Sequence, residues 1–418
     1  MKQKIWIMNF EEVYGGGISD RLYFDFYRHI ICSNPGDIFL SSIKIPVDFI
    51  NYMCTVKGVH NDKSRIIRID KVCNPYYLCD SIFLNKSVVH LLKKLSLTGK
   101  FCFSPFCATK KVSLLSKYFG IPIYGKYNRN INVVKNYNNK KIFKEISKEI
   151  GVETIHGFSA KEKNKIINVV EEICKNSTDQ AILKKTNCDG KNSNLYGEKS
   201  YLLKNIDSWI GNYKEDVIIE KYIQFIEVCG SLVSINDSGY KFLGIDSQII
   251  QNCIWEGCAI PFNTKKFEKE IKKKSILYAK KIYESGGRGF LNLDWAIGFN
   301  DKGSLKCYAL EANYRYNGFQ LVLDIIKSCY KNVVKNYFAV YYKSYPISRE
   351  INSFTDIFKR AKNIIVNKTL AMITNAAQRK GIIFTSCPFQ NKISLIIVGK
   401  TKSYIKNVEA ELQRVLSC

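Results

Sequence analysis

Two short stretches, Leu291 to Phe299 and Leu305 to Arg315, carry polar side chains in a pattern suited to binding a divalent cation. Apolar and polar residues alternate in each, which predicts a strand with one polar face. The turn-forming sequence Asn300 to Gly303 separates them. The pattern therefore predicts a β-hairpin, and we expect a two-residue turn at Lys302-Gly303 to close it.

Alternation places Asn292 and Asp294 on one face of the first strand, and Glu311, Asn313 and Arg315 on one face of the second. A two-residue turn pairs Asp294 with Glu311, and Asn292 with Asn313. Directly opposed carboxylates repel unless a cation lies between them. Magnesium usually takes one or two carboxylates together with substrate phosphates. The hairpin predicts a magnesium site at Asp294, Glu311 and Asn313 beside a nucleotide; the alternative is a surface hairpin whose polar face meets water.

The composition indicates a protein with sizeable cores. The 418 residues, 46% of them hydrophobic, predict two or three domains. The 15 cysteines follow no CxxC or Cys/His spacing and there are only 4 histidines, so a zinc site is not expected. The N-terminal sequence lacks a signal-peptide pattern, and no apolar run reaches the roughly 18 residues of a membrane span. We expect a cytoplasmic protein with reduced thiols and no membrane partner.

The net charge of +27 is the strongest argument for a nucleic-acid partner. However, the 64 basic residues are spread along the whole chain, with no arginine-rich tract or RNA-binding signature. A compositional bias explains the charge equally well, so nucleic-acid binding is the least favoured function.

The first 130 residues alternate strand and helix patterns, which predicts a small parallel-sheet domain. The triple glycine Gly15 to Gly17 lacks the spacing of a phosphate-binding loop, so a flexible turn is the preferred interpretation. The predicted elements are strands at Lys4 to Phe10 and from Gly36 to Leu40, and helices at Val47 to Val56, Val88 to Leu97 and Leu114 to Phe119.

A polar linker, Tyr127 to Asn139, is predicted to separate this domain from the next. The elements predicted beyond it are helices at Lys140 to Ile150 and Lys161 to Lys175, and strands at Gln180 to Lys184, Asp216 to Tyr222 and Ile226 to Asn236. The tail, Ser353 to Cys418, is predicted to form strands Leu370 to Thr374, Gly381 to Thr385 and Ile393 to Val398, then a helix Ser403 to Leu416.

Taken in order, these segments resemble the ATP-grasp superfamily, over about 200 residues from Lys140. QAILKKTNCDGKNSN is similar to the family's strand, lysine and lid loop, and VIIEKYIQFIE to its adenine hinge. LDWAI followed by ALEANYRYNG is similar to its metal-binding aspartate and terminal Glu-x-Asn-x-Arg motif. The resemblance implies an α/β and α+β protein: an N-terminal parallel-sheet pre-ATP-grasp domain (1–135), a two-subdomain ATP-grasp core (136–345) and a small C-terminal α+β domain (346–418).

The resemblance also implies a set of ATP-binding residues. Lys140 is expected to contact the nucleotide phosphates, and so is one lysine of the strand, for which Lys184 is the preferred residue and Lys185 the alternative, since only one of them can point inward. The other implied ATP contacts are Glu220, Lys221 and Ile223 for the adenine and Glu227 for the ribose.

The same resemblance assigns the reacting end of the site. Asp294, Glu311 and Asn313 take the Mg²⁺ positions, and Arg315 contacts phosphate or acyl-phosphate oxygens. Asn292 occupies a position that is arginine in many relatives, and the lid has fewer glycines than usual. Arg315 and Asn292 are the predicted catalytic residues.

The flanking segments, including SQIIQNCIWEGCAIPF and FSPFCATKKVSLLSKYFGIPIYG, are similar to the pheganomycin-type peptide ligases. The implied activity is ATP-dependent joining of a carboxylate donor and an amine acceptor, small molecules or peptides, through an acyl-phosphate in natural-product or small-molecule biosynthesis. The alternative from another class is a catalytically weak nucleotide-binding scaffold of the same fold. A homodimer is the default expectation, since dimers are the commonest oligomers.

Overall fold

The computed structural model describes residues 2–14, 20–57, 66–69, 77–124, 130–187, 193–251, 254–300, 302–330, 337–366 and 381–417. The predicted glycine turn at residues 15–17 and the predicted strand at residues 370–374 lie outside these ranges. No helix in the described ranges is long and apolar enough to cross a membrane.

The N-terminal part of the chain forms a four-stranded parallel sheet covered by helices. Its strands are β1 (Gln3–Ile7), β2 (Ile38–Ser41), β3 (Ile66–Arg68) and β4 (Phe101–Pro105) in the order β3-β2-β1-β4. The helices are α1 (Glu11–Tyr14), α2 (Asp20–Ile31), α3 (Val47–Lys57), α4 (Leu78–Leu84), α5 (Lys86–Leu97) and α6 (Lys110–Phe119). Every residue of β2 is buried, as expected of a parallel strand covered on both faces.

Glu11, at the start of α1, gives this part of the protein a pH-dependent stability. Its buried carboxylate accepts the backbone N–H of Leu78 at 2.5 Å, and burial raises the pKa of Glu11 from 4.5 to about 7. The folded chain therefore keeps a proton that the unfolded chain loses. The contribution of Glu11 to stability is fully present below pH 4.5 and falls by on the order of 3 kcal/mol as the pH rises to about 7.

We expect Glu11→Gln to remove this loss, because glutamine can still accept the Leu78 N–H but has no proton to lose. Urea denaturation of both proteins at pH 5 and pH 8 measures the effect. The variant should gain stability relative to the wild type mainly at pH 8. An equal difference at the two pH values would show that Glu11 ionises normally.

The predicted linker at Tyr127 to Asn139 contains a helix, α7 (Ile131–Tyr137). The Asn130 side chain accepts the Val133 N–H and caps the helix, and Val133, Val134 and Tyr137 are buried. The many asparagines made this segment look like a linker, although one of them is the helix cap.

A second, antiparallel sheet follows helix α8 (Lys140–Glu149) and has its own apolar core. Its strands are β5 (Gly157–Ala160), β6 (Gln180–Lys185), β7 (Asn194–Glu198) and β8 (Val217–Lys221), in the order β5-β8-β6-β7. Helices α9 (Lys163–Ile173) and α10 (Lys199–Ile210) pack on it. We call this unit the lid sheet.

The third and largest sheet has eight strands, paired antiparallel throughout. They are β9 (Phe225–Asn236), β10 (Gly239–Gln251), β11 (Ile254–Ile260), β12 (Gly289–Phe299), β13 (Leu305–Asn313), β14 (Phe338–Pro346), β15 (Gly381–Phe384) and β16 (Lys392–Gly399). The order is β13-β12-β9-β10-β11-β14-β16-β15. We call this unit the central sheet.

Helices α11 (Glu268–Glu284), α12 (Gly318–Tyr330), α13 (Phe354–Val366) and α14 (Lys402–Leu416), with a short 3₁₀ helix at Lys265–Phe267, complete the fold. The C-terminal strands β15 and β16 continue the central sheet through β14. The C-terminal segment is thus α+β as expected, but it shares a sheet with the core. The domain boundaries at 135 and 345 stay a prediction.

The turn between β12 and β13 differs from the predicted two-residue turn. Asn300 donates its N–H to the Ser304 carbonyl at 2.9 Å, and Gly303 donates to the Asn300 carbonyl at 2.9 Å. The strands consequently begin by pairing Phe299 with Leu305, one residue away from the predicted register.

A β-bulge restores the predicted register at the polar face. Trp295 pairs with Ala309, but its neighbour Asp294 pairs with Glu311, so Leu310 is the extra residue. Asp294 therefore lies opposite Glu311, as the sequence predicted, and Asn292 likewise lies opposite Asn313. The predicted turn is wrong, and the predicted pairing of the carboxylates is confirmed.

Candidate active site

A cavity of about 470 Å³ is lined by residues of both the lid sheet and the central sheet. This volume is in the range of small-molecule sites. Nearly all the predicted site residues line it: Lys140, Lys184, Lys221, Ile223, Asn292, Asp294, Glu311, Asn313 and Arg315. Glu220 and Glu227 are not part of the lining.

Lys140 is the first residue of α8 and one of the few buried lysines of the described chain, with 6% of its surface exposed. Asn139 caps the helix by accepting the N–H groups of Lys141 and Ile142. The Lys140 Nζ lies 3.0 Å from a Glu311 carboxylate oxygen. A lysine at a helix N-terminus, where the dipole also favours negative charge, is well placed to receive a phosphate.

The structure decides which lysine of β6 faces the cavity. Lys184 lines it, and its Nζ lies 2.7 Å from Glu220. Lys185 points to the other face, where its Nζ donates to the Trp209 carbonyl at 2.6 Å and lies over the Trp209 and Tyr213 rings. The choice that alternation left open therefore falls on Lys184.

Glu220 is buried behind the cavity and holds two lysines in place. Lys184 lies 2.7 Å from one of its oxygens and Lys144 lies 2.5 Å from the other. Burial opposes the charge of Glu220, but the two ammonium groups outweigh it and lower the pKa of Glu220 below its ordinary value. The Glu220 side chain thus positions the two lysines and does not line the cavity itself.

Sequence reasoning missed Lys144. It follows Lys140 by one helical turn, so the two lysines lie on the same face of α8. This four-residue spacing was the sequence feature that could have identified Lys144.

The end of β8 forms one wall of the cavity. Lys221, Tyr222 and Ile223 line it together with Phe225, and the Tyr222 ring stacks on that of Tyr196, with ring centroids 6.1 Å apart. Aromatic and aliphatic side chains beside a strand end form an apolar slot, suited to a flat heterocycle.

Glu227 does not reach the cavity. Its two carboxylate oxygens accept hydrogen bonds from the hydroxyls of Ser247 and Thr264. Its neighbour Val228 lines the cavity, so alternation along β9 turns Glu227 to the opposite face. A ribose contact by Glu227 is not supported by this arrangement.

Asp294 is surrounded by amide donors. Gln248 and Asn292 donate to its Oδ1 at 2.7 and 2.8 Å, and Asn313 donates to its Oδ2 at 2.7 Å. Even so, burial and then the charge of Glu311 raise the pKa of Asp294 to about 8. Burial and the nearby Glu311 thus both disfavour the ionised form of Asp294 when no cation is bound.

A magnesium ion fits these residues. Asp294 and Glu311 supply hard carboxylate oxygens, and a cation between them would oppose both burial and the charge of Glu311, which raise the pKa of Asp294. Among the described residues, no cluster of three or more His, Cys, Asp or Glu side chains forms a metal site. The two carboxylates therefore need ligands from elsewhere, such as Asn313, substrate phosphates and water.

Arg315 lies just beyond β13, in a segment held by Asn138. The Asn138 side chain accepts the Tyr314 N–H at 2.8 Å, donates to the Tyr314 carbonyl at 3.2 Å and accepts from Arg315 at 3.3 Å. Arg315 lines the cavity beside Asn313. This clamp places a guanidinium next to the carboxylate pair.

Part of the cavity lining is aromatic, and a third buried lysine, Lys343, also lines the cavity. Phe106, Trp255 and Tyr316 line it together with Lys343, whose Nζ lies 3.2 Å from the buried Asp25 of α2. A Cβ on Gly318 would lie 2.4 Å from the Trp255 ring, so only glycine allows this approach. None of these residues was singled out from the sequence, because the N-terminal domain and the central sheet meet here only in three dimensions.

Solved structures share this architecture across the whole chain. A biotin carboxylase–β-γ-ATP complex from Campylobacter jejuni is 13% identical and matches with a TM-score of 0.61, covering 100% of this chain and 92% of its own. N5-carboxyaminoimidazole synthase from Aspergillus clavatus, in complex with ADP and 5-aminoimidazole ribonucleotide, is 11% identical, with a TM-score of 0.58 and 99% coverage of both chains. The chain has the ATP-grasp fold.

A third ATP-grasp structure is the biotin carboxylase domain of 2-oxoglutarate carboxylase from Hydrogenobacter thermophilus, a dimer in complex with MgADP, ADP and bicarbonate. It is 13% identical with a TM-score of 0.60, covering 99% of this chain and 90% of its own. No protein-family model and no curated protein matches this chain. The predicted fold class is confirmed.

Proposed function

We propose that this protein is an ATP-dependent, ADP-forming ligase that joins a carboxylate to an amine through an acyl-phosphate. One observation carries the proposal: a single cavity is lined by two lysines, Lys140 and Lys184, by the opposed carboxylates of Asp294 and Glu311, and by Arg315. Cations facing a carboxylate pair are the arrangement that MgATP requires.

ATP is the nucleotide whose phosphates would lie between these groups. Lys140 and Lys184 would bind the phosphate oxygens, while Asp294, Glu311 and Asn313 would hold magnesium. Bound there, Mg²⁺ neutralises charge on the phosphates and orients them. Lys140 and Glu311 contact each other at 3.0 Å, so binding exchanges this ion pair for contacts with phosphate and metal.

In the first chemical step, an oxygen of the donor carboxylate attacks the γ-phosphorus of ATP. The bond between that phosphorus and the bridging oxygen breaks, and ADP leaves with the electron pair. Arg315 is the cation in place to stabilise the charge on the transferred group. The carboxylate, a poor electrophile at neutral pH, thereby gains a leaving group.

In the second step, the amine attacks the carbonyl carbon. The carbon–oxygen bond to phosphate breaks, inorganic phosphate leaves and the amine loses a proton, giving an amide. No nucleophilic side chain is needed. The lid sheet has to exclude water while the acyl-phosphate exists, because water would hydrolyse it.

We further propose that donor and acceptor are amino acids or short peptides. The aromatic part of the cavity lining, with Phe106, Trp255 and Tyr316, offers apolar surface for a side chain, and the ion pair of Lys343 with Asp25 adds a polar group to the same cavity. This pocket adjoins the N-terminal domain, which the resemblance to peptide ligases implicates in substrate choice. A role in peptide natural-product biosynthesis is the form of this activity that we favour.

The test is ADP release by the wild-type protein with MgATP and a panel of amino acids and dipeptides, offered singly and in pairs. We expect ADP formation that depends on a carboxylate donor and rises further with an amine, together with a condensed product seen by mass spectrometry. MgATP binding with no stimulation by any pair would support the scaffold function instead. Absence of ATP binding would overturn both.

A further inference from the structure

Three apolar side chains line the cavity at the point where β10 ends and β11 begins. They are Ile250, Ile254 and Trp255. Ile250 has 38% of its surface exposed, and the other two are half-buried. Ile250 and Trp255 pair directly across the two strands. Accessible apolar surface inside a cavity is stabilised when a ligand covers it, so this part of the lining suits an apolar group.

Trp255 lies close to the segment that carries Arg315. A Cβ on Gly318 would lie 2.4 Å from the Trp255 ring, so the ring packs directly on the Gly318 backbone. Gly318 follows Arg315 by three residues, and even a fully extended chain spans at most about 11 Å over that separation. Trp255, Gly318 and Arg315 all line the cavity. A molecule bound to the Arg315 guanidinium is therefore within reach of the Trp255 ring.

The same segment is joined to the N-terminal domain by a second aromatic contact. Tyr316 donates its backbone N–H to the carbonyl of Phe106, the residue after β4, at 3.2 Å. Both residues line the cavity. Aromatic side chains from β11 and from the end of β4 thus both adjoin the segment that carries Arg315.

The first chemical step indicates which substrate meets these rings. Arg315 is the cation assigned to the phosphoryl group that passes to the donor carboxylate, so the donor binds with that carboxylate beside Arg315. In an amino acid or a peptide, the side chain is bonded to the carbon next to the carboxylate. The donor's side chain consequently begins close to Arg315, where the aromatic lining is.

We propose that Trp255 contacts the side chain of the donor and determines which donors are accepted, and that this side chain is apolar. The inference rests on the proposed ligase function and names the class of donor: an apolar amino acid, or a peptide that ends in one. The Trp255 ring packs on Gly318 and lies beside the Tyr341 ring, with ring centroids 5.7 Å apart. It is thus a fixed wall that limits the size of the donor's side chain.

The experiment starts from the donor and amine pair that gives the fastest ADP formation by the wild type. The residue with the reacting carboxylate is varied through glycine, alanine, leucine and phenylalanine while the amine is held constant. The rate of condensed product is measured by mass spectrometry, in which fragmentation shows which residue was the donor.

Trp255→Ala should raise the kcat/KM for the phenylalanine donor relative to the alanine donor by at least about 10-fold, since one methylene in an apolar pocket already changes discrimination 10–200-fold. The KM for MgATP should stay unchanged. Trp209→Ala is the matched control, because Trp209 lies in α10 against Lys185 and is not part of the cavity lining. We expect it to leave the ratio of the two donors unchanged.

A second panel varies the amine, with amino-acid amides that have no free carboxylate, while the donor is held constant. Trp255→Ala should leave the preference among these amines unchanged. A change confined to the amines would place Trp255 at the acceptor and overturn the inference. Thermal stabilisation by MgATP reports the fold, and Trp255→Phe, with a smaller shift in the same direction, replaces the first variant if that one does not fold.

Failure of the proposed function and failure of this inference are distinguishable. A wild type that forms no ADP with any pair overturns the proposed function, and this inference with it. A wild type that turns over, beside a folded Trp255 variant with an unchanged preference among donors, overturns only the inference.

Discussion

Replacing Glu311 with glutamine should lower the rate of ADP formation by at least about a hundredfold, since changing even the groups that support a metal ligand costs 10–100-fold. The substitution keeps the volume of the side chain but removes one of the two opposed charges. Magnesium would then be held by one carboxylate only, and the ion pair between Lys140 and residue 311, at 3.0 Å in the wild type, would be lost. Initial rates at saturating MgATP, with Mg²⁺ titrated separately, measure both effects.

Glu284→Gln is the matched control for this substitution. Glu284 ends α11, is half-exposed and forms an ion pair with Lys280, one helical turn earlier, at 3.9 Å. We expect normal activity from it. Full activity in Glu311→Gln would show that the opposed carboxylates are not the metal site and would return the hairpin to a structural role.

Lys184→Met and Lys185→Met should distinguish the roles of the two neighbouring lysines of β6. Lys184 reaches the cavity, so its loss should weaken MgATP binding by about 10–100-fold, the range for a hydrogen bond to a charged group. Lys185 contacts Trp209 and Tyr213 on the other face, so its loss should leave the Kd of MgATP unchanged and lower stability.

Isothermal titration with MgATP, beside thermal denaturation of each variant, makes this comparison. Glu220 stays paired with Lys144 at 2.5 Å in Lys184→Met, so the variant is expected to fold. A higher Kd of MgATP in Lys185→Met, with no change in Lys184→Met, would mean that β6 presents its other face to the nucleotide.

The sequence was sufficient to place each carboxylate on the polar face of its strand, because a strand's alternation is a local property. It was not sufficient for the turn. The actual loop shifts the register by one residue, and the bulge at Leu310 shifts it back. A bulge depends on how β13 curves against its neighbour, which neither strand's own pattern reveals.

The residues that sequence reasoning missed depend on long-range pairing. Asp246 and Gln248 are two apart, which puts them on one face of β10, but their nearness to Asp294 requires β9 to lie between the strands. Lys343 and Phe106 come from opposite ends of the chain. The sequence also does not show which face of a strand lines a cavity. It therefore could not decide between Lys184 and Lys185.

In the C-terminal segment too, local patterns predict the elements but not the sheet they join. Its predicted strands at residues 381–385 and 393–398 and its final helix are present within a residue or so of their expected bounds. Their attachment to the central sheet depends on β14, a strand that precedes them by more than thirty residues. Local patterns identified these elements, and tertiary pairing decided where they belong.

The most direct test of the ligase proposal follows an oxygen atom. With a donor labelled with ¹⁸O in its carboxylate, an acyl-phosphate mechanism transfers one labelled oxygen to inorganic phosphate, because the carbon–oxygen bond breaks when the amine attacks. We predict one ¹⁸O in phosphate per amide formed, by mass spectrometry. Unlabelled phosphate, or release of AMP and pyrophosphate, would contradict the account.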